Sequence, residues 1–442
     1  MTPTAANAEN SAGGKSPALR KTLVAALLVG LAIAAFYLKG QDASGQLLRA
    51  ELDRIRAAGE PLTFDDLEAA TSEVPEERNA GTYYRRAFAL LVAPEREGLE
   101  KAYRDAASAR PLVPPDEEKR QRVRALETSN RPALELIDQA AEYPDCVFRG
   151  GLRAGLEATK EALGRAPQAA ALLSLRSKER AFSGQIDAAL DSAVSLLKLR
   201  RVLQEEPLLP LSVGAVLLGR MACDDAALAL RLGVPSDAAL LRLEQALRDA
   251  EREDEVAQCI RAERVYWLRL FSRHLPEDLP WPADYDGPLA DELFLGLPDL
   301  DRRELVIFLA DLSDLVEAVG EPWPELGPRV ERVQGRSQLG EQLIDNARQF
   351  TIGSGLVLAK MRGLQIGCRI ERHLRKTGTL PQSLSELASD PDQDLLVNPF
   401  AGAAFEYKSH PDGYEVTANT EGLPPLPGLA DVVRLEVRRA TD

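Results

Sequence analysis

The stretch "LRKTLVAALLVGLAIAAFYLKG", Leu19 to Gly40, restricts the fold more than any other part of the chain. Arg20 and Lys21 precede an uncharged run from Thr22 to Leu38, and Lys39 closes it. In hydrocarbon every backbone N–H and C=O needs a partner within the segment, so such a run is helical. At 1.5 Å per residue it spans about 26 Å, slightly less than the roughly 30 Å core of a bilayer, and Tyr37 and Lys39 can reach the interface. Lys15, Arg20 and Lys21 lie on its N-terminal side while acids dominate beyond it. The positive-inside rule then makes residues 1–21 a cytoplasmic tail and 22–38 a transmembrane helix that contacts the lipid bilayer. The rest is extracytoplasmic, and the location is the inner (cytoplasmic) membrane, single-pass. Ala32, Ile33 and Ala34 also satisfy the A-x-A rule for signal cleavage, and in that reading too the large domain is exported. "GGKS" at Gly13 to Ser16 lacks the first glycine and the preceding strand of a phosphate loop.

The remaining chain has the composition of a folded protein, with 45% hydrophobic and 28% charged residues over 442 positions. Its net charge of −15, with no clustered Lys/Arg stripe, argues against nucleic acid as a partner. Cys146, Cys223, Cys259 and Cys368 are widely spaced and form no CxxC pair. They read as small buried apolar residues, with one long-range disulfide left open for an exported domain.

Helical periodicity dominates residues 45–376, which read as an extracytoplasmic helical domain. Leu48, Leu52 and Ile55 share one face of a helix stopped by Gly59 and Pro61. Thr63 and Asp66 have the spacing of a capping box, and Leu62 and Leu67 that of a hydrophobic staple. Asn79 is placed to cap a helix carrying Tyr83, Tyr84, Ala87, Phe88 and Leu91 on its core face. Further helices are expected from Asp116 to Ala141 and from Gln168 through Leu203, the latter broken at Ser183 and Gly184, with Ala188, Ala189 and Ala193 at a close helix contact. This is an irregular array of helical hairpins, since no 34-residue period recurs. "PLLPLSVGAVLLG" reads as a buried helix. Others are expected from Ser236, through "AQCIRAERVYWLRLF", and over Asp301 to Val319. A Pro-rich crossing separates Leu275 from Leu300. A long helix runs from about Leu339 to Lys376, where Gly353, Gly355, Gly363 and Gly367 permit close approach.

Residues 377–442 read as a small α+β unit. Pro381, Leu384 and Leu387 suggest a short helix, followed by a turn and two strands. Phe405 and Tyr407 alternate on one strand, matched by Tyr414 and Val416 across the His410 to Gly413 turn; Val433, Leu435 and Val437 supply a third strand. The expected fold class is mainly α: a transmembrane helix, a helical-hairpin domain and a small antiparallel β unit packed on the long helix. Leu380, Pro381, Ser383, Leu384 and Leu387, then Asn398, Pro399, Phe400, Gly402, Phe405, Tyr407 and Tyr414, give about 45 residues that resemble the carboxy-terminal part of type II secretion major pseudopilins. The cleavage Gly-Phe and the helix Glu of that family are missing, as are its calcium-binding acidic repeats, so neither pilus assembly nor calcium ligation carries over. "LRAAGEPLTFDDLEAA" and "VPEERNAGTYYRRAFALL", with the basic tail and anchor, are similar to uncharacterised single-anchor envelope proteins of planctomycete type. That resemblance implies the architecture and no chemistry.

No catalytic signature appears in the sequence. His274 precedes a Pro loop, His410 occupies a turn, and His373 reads as a cation favoured by a helix C-terminus. The adjacent acids Asp65/Asp66 and Asp224/Asp225 diverge by about 100° on a helix and read as solvated, as does the Glu251/Glu253 pair. Trp267, Trp281 and Trp323 are the best ligand hint, with core packing the simpler reading. No catalytic, cofactor-binding or metal residue is therefore assigned. The chain reads as a non-catalytic envelope protein with a structural or interaction role and an envelope protein partner. The alternatives are an envelope-polymer hydrolase and an accessory of a secretion or pilus-like machine.

Overall fold

The computed structural model describes residues 44–69, 74–92, 97–143, 146, 155–205, 208–252, 254–270, 302–319, 321, 323–333, 338–387, 394–399, 401–418 and 434–438. The tail, the 22–38 run and the Leu275–Leu300 crossing lie outside these residues. Among the described residues no helix is long and apolar enough to cross a membrane.

The described chain is mainly helical. Helix α1 (residues 44–57) buries Leu48, Leu52 and Ile55, and Gly59 turns the chain at φ +72°. Helix α2 (Phe64–Ala69) starts with the expected reciprocal cap. The Asp66 N–H donates to Thr63 Oγ1 at 3.1 Å, and Asp66 Oδ2 accepts from the Thr63 N–H at 2.9 Å. Leu62 and Leu67 are buried beside it. Helix α3 (Ala80–Leu90) is capped by Asn79, and its buried face carries Tyr84, Ala87 and Phe88. Tyr83, at the margin, stacks on Tyr143 with centroids 4.9 Å apart.

Next come α4 (Glu97–Ser108), α5 (Glu117–Ser129) and α6 (Arg131–Ala140). The single helix expected from Asp116 to Ala141 is thus two. Asn130 breaks it by donating its amide to Leu126 O and accepting from the Val92 N–H at 2.9 Å, and Pro132 cannot extend the ladder.

Helices α7 (Gly155–Phe182) and α8 (Ile186–Gln204) form a hairpin through Gly184, whose φ of +74° suits glycine. Helix α7 starts well before Gln168 and runs through Pro167. Ala189 and Ala193 are buried at the α7–α8 contact, as their size predicts. The array continues with α9 (Leu209–Leu232), α10 (Asp237–Ala250, capped by Ser236) and α11 (Glu255–Leu270). It ends with α12 (Arg302–Ala318), α13 (Trp323–Val333) and the 40-residue α14 (Gln338–Thr377). Helix α8 packs against α7, α9 and α10, while α14 packs across α9 and α10.

After α14, the expected helix at Pro381 is only a 3-10 turn, Leu384–Glu386, with Leu384 buried. Strands β1 (Val397–Asn398) and β2 (Ala403–Ala404) form a minimal hairpin. Strands β3 (Glu406–His410), β4 (Gly413–Thr417) and β5 (Arg434–Arg438) form an antiparallel sheet in the order β3-β4-β5. Tyr407 faces Val416 as expected, but Tyr414 faces Ser409, because the Pro411–Asp412 turn leaves Phe405 one residue before the β3 ladder. Phe405, Tyr414, Val416, Leu435 and Val437 are buried and join the same apolar core as the helices. A Cβ at Gly367 would lie 2.5 Å from a Leu435 methyl, so the missing side chain on α14 is what lets the sheet seat there. The Tyr414 hydroxyl donates to the Gly367 carbonyl, and the Tyr407 hydroxyl to the Pro381 carbonyl at 3.0 Å.

Candidate functional site: a cation-rich groove

Ser174 and Lys178 are one turn apart on α7, so their side chains share a face. Opposite them, α9 presents Asp225, fully buried, with Oδ1 2.5 Å from the Lys178 ammonium. Lys178 also donates to the Ser174 hydroxyl. Burial raises the Asp225 carboxyl above its usual range, and the charge and hydrogen bonds of Lys178 and Ser174 offset this only in part.

These three residues line a groove of about 1070 Å³ whose walls come from α4, α7, α9, α14 and β5. Seven of its lining residues are Lys or Arg and four are Asp or Glu, in a chain whose net charge is −15. Several of the cations are neutralised locally. Lys360 pairs with Asp224, and Arg110 with Glu436 at 3.0 Å. Arg434 reaches Glu415 at 2.9 Å and Glu436 at 3.4 Å. Arg231 is different. Half-buried on α9, it donates to the Ala107 carbonyl at 3.3 Å. Burial and the neighbouring charge of Arg110 lower its pKa, and Glu436 pulls the other way. A guanidinium faced by another guanidinium and bonded to a neutral oxygen has capacity left for an oxyanion.

The same geometry bears on nucleophilic chemistry. A serine is activated by a base that accepts its proton. Here Lys178 donates to Ser174 and also pairs with buried Asp225. Cys223, also on the groove, has its thiol pushed up to about 12 by burial, far from thiolate at neutral pH. The arrangement suits binding better than attack.

The residues singled out in the sequence are not brought together. Trp267 is half-buried, donates its indole N–H to Glu263 at 3.1 Å and meets Phe308 edge-on, so it belongs to the α11–α12 packing. Asp66 caps α2, while Asp65 is exposed. Glu251 takes Arg362 at 3.3 Å and Gln365. His373 lies in the last turns of α14, and His410 is 3.9 Å from Glu415. Glu253, His274, Trp281 and the Trp323 side chain lie outside the described residues. All four cysteines are buried, and Cys223, Cys259 and Cys368 carry free thiols. Among the described residues no cluster of His, Cys, Asp and Glu could hold a metal.

Two readings of solvated acids are corrected, the first being Glu251, which is half-buried against Arg362 and Gln365. Asp224 and Asp225 do diverge, but the divergence sends only Asp224 outward and buries Asp225. The sequence did carry a signal for this: Leu218, Ala222, Asp225 and Ala229 are spaced by four, three and four, so Asp225 stands in the apolar row of α9. Ser174 and Lys178 had no comparable mark. Compared with protein-family models, curated proteins and solved structures, the chain matches none of them.

Proposed function

We propose that this chain is a single-pass, membrane-anchored protein of the cell envelope that works by binding a partner, not by turning over a substrate. Residues 22–38 would lie in the inner membrane, residues 1–21 in the cytoplasm, and everything from α1 onward outside. The observation that carries the binding role is the groove: it has more cations than its own acids neutralise, and its hydroxyl and thiol are held in unreactive states. The anchor rests on the charge asymmetry around the 22–38 run and on the resemblance to single-anchor envelope proteins of planctomycete type.

Two experiments test this. Proteinase added to intact spheroplasts should digest the large domain, and protection until the inner membrane is lysed would overturn the orientation. A fluorophosphonate probe should leave Ser174 unlabelled in the full-length protein in detergent. Labelling abolished by Ser174→Ala would instead establish the hydrolase reading. The sheet seated on α14 favours a second reading, an accessory of a pilus-like machine, because that is where the pseudopilin resemblance lies. Absence of secretion components from detergent-purified protein would count against it.

A further inference from the structure

We infer that the groove receives an extended, acidic segment of a partner polypeptide, laid along the edge of β5, with carboxylates reaching Arg231 and Arg104. This inference rests on the binding role proposed above and names its ligand.

The shape of the site points to a chain. Arg434, Leu435 and Glu436 all line the groove, although successive residues of a strand point to opposite faces. A groove that touches both faces of β5 reaches its edge. One edge is occupied by β4, and among the described residues β5 pairs with β4 alone. The other edge carries no paired strand among the described residues, and it is the edge an added strand would use. The volume, about 1070 Å³, lies at the upper end for small-molecule pockets.

The chemistry points to acid side chains interspersed with apolar ones. Arg231 is bonded to a neutral carbonyl, and Glu436, whose charge reaches it, is already shared by Arg110, Arg434 and Arg438, so a ligand carboxylate would give Arg231 a charged partner of its own. Arg104, exposed on α4, adds a cation at the rim. Between the charges lie Leu217, 55% exposed, and half-buried Met221, which a run of carboxylates alone would leave uncovered. An alternating acidic and apolar strand presents one set to each side.

The test uses the full-length protein in detergent and a fluorescent peptide of alternating Glu and Val, read by anisotropy against the matching Lys–Val peptide. The Glu–Val peptide should bind and the Lys–Val peptide should not. Arg231→Gln should weaken binding by about tenfold, the size expected when one charge-assisted contact is lost. If Arg231→Gln fails to fold, as judged by its melting curve, Arg104→Gln carries the test with a weaker effect of the same sign. Glu–Val binding that neither substitution changes would overturn the inference, as would saturation by inorganic phosphate with no peptide binding. Neither result bears on fluorophosphonate labelling or proteinase access, so failure of the ligand assignment stays separate from failure of the binding role.

Discussion

Two carboxylates, half-buried Glu60 at the corner between α1 and α11 and fully buried Asp225 in the groove, have opposite fates. Glu60 takes Arg261 in a fork, 2.7 Å and 3.0 Å to its two oxygens, and Arg264 at 3.0 Å. Burial pushes its pKa up, but the hydrogen bonds and charges of the two guanidiniums outweigh burial and hold it below its usual range. Asp225 has the single ammonium of Lys178, and burial wins. The difference is one of burial first, since Asp225 is fully buried and Glu60 only half-buried, and then of partner number and geometry: a planar fork satisfies two oxygens at once, whereas an ammonium is a point charge. Glu179 repeats the Glu60 pattern, accepting from the Tyr103 hydroxyl at 2.6 Å and from Arg120 and Arg124 at 3.1 Å and 3.0 Å. Saturated corners fasten the helices together. The undersaturated groove keeps capacity for something else.

The largest expected effect acts on the packing of the sheet against α14, without touching a charge. Phe405, 6% exposed, packs its ring 3.7 Å from where a Cβ at Gly363 would stand, and Phe405→Ala should cost about 3–5 kcal/mol. An unchanged melting midpoint would mean that the sheet does not brace α14, and the groove would lose a wall in solution. Glu60→Ala comes next. It strands Arg264, which is 1% exposed, and partial exposure of the other partners reduces the expected loss to about 3 kcal/mol. A loss below about 1 kcal/mol would show that the corner is no better fastened than the groove. Gly367→Ala should cost about 1–2 kcal/mol, since the Leu435 methyl it meets can yield by rotating. A neutral result would place Leu435 away from α14.

Local chemistry was legible in the sequence where the interaction closes within a few residues. The Thr63/Asp66 cap, the Asn79 and Ser236 caps and the Gly184 turn each involve backbone groups within four positions, and all formed as expected. The β-strands were legible from alternation, and the long α14 from its uninterrupted helical run. What failed was non-local. The break at Asn130 depends on the Val92 N–H, 38 residues away, and the Tyr414–Ser409 pairing depends on the geometry of the turn. The groove was least legible. Its charges come from helices more than a hundred residues apart, and Lys178 and Arg231 look like ordinary solvated side chains until α4, α7, α9 and β5 are assembled around them.

The smallest effect is the most direct reading of the comparison, because it is a slope and not a loss. The carboxyl of Asp225 has a pKa above its ordinary 3.8 in the folded protein, so the folded state holds that proton more tightly than the unfolded chain does. Its contribution to stability is therefore complete below the unfolded value and is lost as pH rises through the raised folded value. Glu60 runs the other way: its contribution is present above its ordinary 4.5 and is lost as pH falls through the lowered folded value. Asp225→Asn removes the titration but also takes the acid from Lys178, so the absolute stability of the variant mixes two effects. The informative quantity is then the difference between variant and parent in urea unfolding, followed from about pH 4 to about pH 7. For Asp225→Asn that difference should move in favour of the variant as pH rises, and for Glu60→Gln in favour of the parent. If both move in favour of the parent, Lys178 outweighs the burial of Asp225, and the groove is a third saturated corner with nothing left to offer a ligand.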